Sequence, residues 1–166
     1  MSLTRLDFAQ ILCQNYFCPG ESRPEIEQFL VAVMAGEDSG AWYNPLDTTL
    51  ALSTYDINYN GAGVKNYINI FDGFKATKET FELSFYTDLV AIIKDVKSTA
   101  IDMANAFSRT PWGYVGDKLP LEIVSDFNRG TLSYVESRRQ LIGRPPVGWI
   151  GTDSKLEFLS ELEGLI

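Results

Sequence analysis

Glu37 stands where an apolar run, Phe29-Leu30-Val31-Ala32-Val33-Met34, gives way to a segment rich in Gly, Ser, Asn and Pro. That position puts one carboxyl group at the end of a buried helix, beside a loop that can line a cleft. Burial penalises the charged form of a carboxyl, so such a group keeps its proton to higher pH. It can then act as a general acid, protonating the leaving oxygen when a glycosidic bond is cut. Trp42 and Tyr43 follow closely and can supply the apolar surroundings. The plain alternative is a solvated surface glutamate, and Glu37-Asp38 is unfavourable to a helix dipole at this end. Asp38, Asp47 and Asp56 are the available partner acids. Two-carboxyl mechanisms need a spacing of about 5 to 5.5 Å for retention or about 6.5 to 9.5 Å for inversion. Asp38, adjacent in sequence, is expected to point away from Glu37.

Composition removes several other chemistries. The 166 residues contain no histidine, which excludes Ser-His and Cys-His catalytic pairs and His-containing zinc sites. The net charge of −8 argues against nucleic acid, since a binder must neutralise phosphates with clustered Lys and Arg. Arg138, Arg139 and Arg144 are the nearest thing to a basic cluster, and they are too few. Cys13 and Cys18 lack the second pair that a metal knuckle requires. They read as buried thiols near a helix end, with a local disulfide as the alternative. No metal or cofactor is expected. No apolar run approaches the length of a membrane span, and the start lacks the pattern of a signal peptide.

The elements that must position Glu37 are mainly helical. Thr4 or Ser2 can cap a first helix carrying Leu6, Phe8, Ile11 and Leu12 inward, with Pro19-Gly20 as its break. Ser22-Arg23-Pro24-Glu25 has the form of a capping box opening a helix with Ile26, Phe29, Leu30, Val33 and Met34 buried, ending near Gly36. Residues 38–70 predict irregular loop and a small hairpin. Asn44-Pro45 and Asn60-Gly61 mark its turns, and Tyr55 to Tyr59 alternates like a strand. The helical period returns from Gly73, through Phe74, Thr77 and Phe81. Two further helices carry Leu89, Val90, Ile92, Ile93 and Val96, then Ile101, Met103, Ala104 and Phe107. Three short helices, over 121–127, 132–141 and 155–162, are predicted beyond residue 119, with a rigid linker over 143–149.

The order of short motifs is informative. Glu37 is followed by Asn44-Pro45-Leu46-Asp47-Thr48-Thr49, then Tyr59-Asn60-Gly61-Ala62-Gly63-Val64-Lys65-Asn66-Tyr67, then Gly73 and Ala76-Thr77. Over roughly residues 5 to 115 this series resembles the lysozyme-like domain of phage-encoded cell-wall lytic proteins, akin to goose-type lysozymes and soluble lytic transglycosylases. Arg109-Thr110-Pro111-Trp112-Gly113 matches a later family element only in part.

The resemblance implies a mainly α (α+β) lysozyme-like domain over 1–118, with a small β wing, and a helical extension over 119–166. It implies cleavage of the β-1,4 bond between N-acetylmuramic acid and N-acetylglucosamine, with Glu37 as the general acid. In that family one glutamate dominates, so a single-acid mechanism is expected ahead of a pair. Asn44, Thr48 and Thr49 can bond N-acetyl groups or fix the loop; Tyr59, Asn66 and Tyr67 can meet sugar rings, orient Glu37 or pack within the hairpin. Trp112 reads as core filling before sugar platform. The expected partner is the glycan strand, in a virion or in the host cytoplasm before release to the wall. The alternative is a non-catalytic virion protein that holds glycan or neighbouring virion proteins.

Overall fold

The computed structural model describes residues 4–37, 40–54, 56–114 and 119–143. Ser2, Asp38, Tyr55, Arg144, the linker after 143 and the helix expected over 155–162 lie outside them.

The first helix, α1 (Arg5–Leu12), opens on a capping box in which Thr4 and Asp7 satisfy each other's backbone amides. Leu6, Phe8, Ala9, Ile11 and Leu12 are buried. The chain then widens into a π-helical turn, Cys13–Phe17, before Gly20 adopts φ 79° and ends the segment.

Helix α2 (Pro24–Glu37) is apolar nearly all round: Ile26 and Phe29 through Met34 are at most 2% exposed. A helix without a polar face must be central. It packs against α1, α5 (Ala100–Ser108), α6 (Pro120–Arg129) and α7 (Tyr134–Gly143). Its start differs from the expected capping box. The Arg23 carbonyl accepts from the Glu27 amide, so the helix opens at Pro24. Glu25 turns instead to the amide of Ala100 at 2.6 Å, capping the start of α5.

The loop after α2 leads to a two-stranded antiparallel hairpin, β1 (Ile57–Asn58) and β2 (Lys65–Asn66), with Ile57 opposite Asn66. At its tip Asn60 accepts from the amides of Ala62 and Val64. Helix α3 (Ile70–Phe81) begins three residues before Gly73, because Asn69 caps the amide of Asp72. A 3₁₀ turn at Ser84–Tyr86 separates it from α4 (Thr87–Lys94). Val96, expected on the inner face of that helix, lies beyond its end and is 76% exposed. The chain between α5 and α6 includes a second 3₁₀ turn, Pro111–Tyr114.

The result is mainly α with a small β hairpin. Among the described residues one apolar core runs through the helices, and Ile123, Val124, Phe127 and Leu141 of α6 and α7 complete it. Phe29 and Phe107 meet edge to face at its centre, 5.7 Å between centroids. No described helix is long and apolar enough to cross a membrane.

Candidate functional site

Glu37 is the last residue of α2, so the central helix delivers it to the start of the loop. Its side chain lies outside the described residues. From Gly40 the loop is irregular, and side-chain hydrogen bonds tie it down at several points.

Asn44 is the centre of this fixation. It is fully buried, and its Nδ2 donates to the carbonyls of Thr48 and Lys65, both at 2.8 Å. Its Oδ1 accepts from the Thr48 amide at 2.8 Å and lies 3.1 Å from the Thr48 hydroxyl. The Asp47 amide donates to the Asn44 carbonyl, closing the turn that Asn44-Pro45 predicts. Tyr43 and Asp47, on either side of that turn, hold positive φ values of 55° and 56°. Such angles are uncommon outside glycine and persist where surrounding bonds enforce them.

The hairpin holds the loop from the other side. The Trp42 amide donates to Asn66 Oδ1 at 2.7 Å, the Tyr67 amide donates to the Trp42 carbonyl, and the Gly40 amide donates to the Tyr59 hydroxyl at 3.2 Å. The Tyr67 hydroxyl donates to the Leu50 carbonyl at 2.6 Å and lies 2.9 Å from that of Thr48. Burial pushes the Tyr67 phenol up to about 12, with the Thr48 bond opposing and the nearby Asp56 charge reinforcing the rise.

Of the uses open to Asn44 and Thr48, the bonds they make are those of loop fixation. Tyr67 is fully buried, while Tyr59 and Asn66 each spend a side-chain oxygen on the loop backbone. Thr49 differs. It is exposed and, with Asp47 and Thr48, lines a cavity of about 180 Å3. Ala62 and Val64 of the hairpin, Thr80 of α3, Tyr86, Pro111 and Trp112 complete the wall.

Trp112 fills the core and also borders the cavity. Only 8% exposed, it packs on Phe81, Phe107 and Tyr86 and donates from Nε1 to the Leu46 carbonyl at 3.0 Å. Nothing local in the sequence links Tyr86 to residues 47–49, which it meets at the cavity. Its phenol is also pushed upward by burial.

The candidate carboxylates separate by environment. Asp47 reaches the cavity. Asp56 does not line it; its Oδ2 accepts from the amides of Leu52 and Ser53 at 2.7 and 2.9 Å, which holds a turn. Among the described residues no group of three or more His, Cys, Asp or Glu side chains could hold a metal ion.

No protein-family model, curated protein or solved structure matches the chain.

Proposed function

We propose that this chain is a peptidoglycan-cleaving glycosidase, of muramidase or lytic transglycosylase type, with Glu37 as general acid. The observation that carries this reading is the placement of Glu37 at the end of the central helix, a few residues ahead of the loop that Asn44 pins. That loop presents Asp47, Thr48 and Thr49 to a cavity walled by Tyr86 and Trp112. A carboxylate and hydroxyls beside aromatic rings suit a sugar, which offers hydroxyl donors and acceptors together with apolar C–H faces. Rigid surroundings suit catalysis, because a general acid works only when held at the leaving oxygen. The order of motifs from Glu37 to Thr77 supports the same substrate, the β-1,4-linked glycan strand, and a setting in phage lysis or wall penetration.

A second reading is a non-catalytic glycan-holding protein of a virion. Trp42 and Tyr59, 47% and 43% exposed on the loop and hairpin, favour it, since a sugar can stack on such rings without being cut.

The test incubates the protein, Glu37→Gln and Asp47→Asn with insoluble peptidoglycan and analyses the released fragments by mass spectrometry. Release by the native chain, abolished in Glu37→Gln, is the expected result, and anhydro ends would identify a transglycosylase. Asp47→Asn should weaken release through a raised KM. Binding to the wall without release would favour the second reading, and neither binding nor release would sink both.

A further inference from the structure

We propose that Cys13 and Cys18 form a redox modification site, a thiol pair that closes into an intramolecular disulfide on exchange with a small disulfide oxidant. The geometry originates in the π-helical turn. An ordinary α turn brings residues four apart together, whereas here the Cys18 amide donates to the Cys13 carbonyl at 2.8 Å, five residues back. That wider turn brings the two side chains into contact, with the sulfurs 3.3 Å apart and both thiols free. A disulfide needs about 2.05 Å, so closure asks for a movement of about 1.2 Å at the sulfurs.

The two thiols differ in access, which sets the order of events. Cys13 is buried and Cys18 is partly exposed. The Cys18 thiolate attacks one sulfur of glutathione disulfide and expels one glutathione. The Cys13 thiolate then attacks the Cys18 sulfur of the mixed disulfide and expels the second. Two protein thiols lose two protons and two electrons, and two glutathione molecules carry them away. Burial, followed by the bond with Cys13, raises the Cys18 thiol to about 12, against the opposing charge of Arg23. Since the thiolate is the attacking species, exchange is slow at neutral pH.

Closure staples the segment that carries Tyr16 and Phe17, and Phe17 packs edge on to Phe81, 5.0 Å between centroids. The pair would stay reduced in a reducing cytosol and close in an oxidising compartment.

The test exposes the folded, reduced protein to glutathione disulfide for a prolonged time at about pH 8.5, because only a small share of the Cys18 thiol is ionised there. Remaining thiols are alkylated, and the products are read by intact mass and peptide mapping. The chain has only two cysteines, so the assignment is unambiguous. The expected product has lost two hydrogens, takes up no alkylating agent, and melts about 5 °C higher than the reduced form. Cys13→Ser should instead accumulate one glutathione on Cys18. Two alkylatable thiols after prolonged oxidation, a native-chain adduct that never closes, or a closed form that melts lower would each overturn the proposal.

Discussion

The main-chain carbonyl of Tyr43 lies against Gly73 so closely that a Cβ at residue 73 would sit 1.8 Å from its oxygen and 2.9 Å from its carbon. The start of α3 and the loop after α2 therefore touch backbone to backbone. Gly73→Ala would gain up to about 1 kcal/mol in helix propensity, but the clash must move either helix or loop, at about 1–3 kcal/mol or more. We expect net destabilisation in urea unfolding and a loss of glycan release beyond that of an equally destabilised core variant. A neutral or stabilising effect would refute this account of the contact.

Asn44→Ala would leave the carbonyls of Thr48 and Lys65 and the amide of Thr48 without their buried partner. The expected cost is about 2 kcal/mol or more. Asn44→Asp should not rescue it, because a carboxylate would face the two carbonyls that now accept from Nδ2. A residue that served only to contact substrate would leave the unfolding midpoint unchanged, and that result would remove Asn44 from its positioning role.

Glu27 joins three helices. It accepts from Gln10 at 2.9 Å and from Tyr134 and Arg138 at 2.6 Å each. Burial works to raise its carboxyl, but the bonds from Tyr134 and Gln10 and the Arg138 charge outweigh it and hold the group below its usual 4.5. Around that pH the unfolded chain binds more protons than the folded one. Stability from this carboxylate is therefore present above about pH 4.5 and lost as pH falls through the lower folded value. Glu27→Gln should cost about 1–3 kcal/mol at pH 7. Its gap from the native chain in urea midpoint should narrow on acidification below pH 4.5, and a constant gap would refute the assignment.

The helices were legible where one local pattern decides them. The apolar run from Phe29 to Met34 has no polar face to leave in water, and the central helix appears there. Asn60-Gly61 marks the tip of the hairpin because the Asn60 side chain can itself close the turn. Glu25 shows where local reading stops: its partner is Ala100, and an offer from a distant helix outcompetes its neighbour Ser22. The start of α3 had a usable signal in Asn69-Ile70-Phe71-Asp72, the cap and its recipient amide. The cavity had none, since Asp47, Tyr86 and Trp112 meet only through the packing of separate elements. Nor does Cys-Gln-Asn-Tyr-Phe-Cys announce a π-helical turn.

The beginning of α2 also determines how a connection elsewhere is built. Arg23 donates to the carbonyls of Ile93 and Asp95 at 2.7 and 2.9 Å, while Glu25 takes the first amide of α5. The bend between α4 and α5 is thus held from outside by Arg23, just before α2, and Glu25 within it, and from inside by Asp95, whose side chain accepts from the Lys97 amide and whose carbonyl accepts from the Ser98 amide. Its apex is open to solvent: Val96 is 76% exposed and Lys97 is exposed as well. That apex is the natural attachment point for a fluorophore or a short epitope, far in sequence from the loop and hairpin around the cavity.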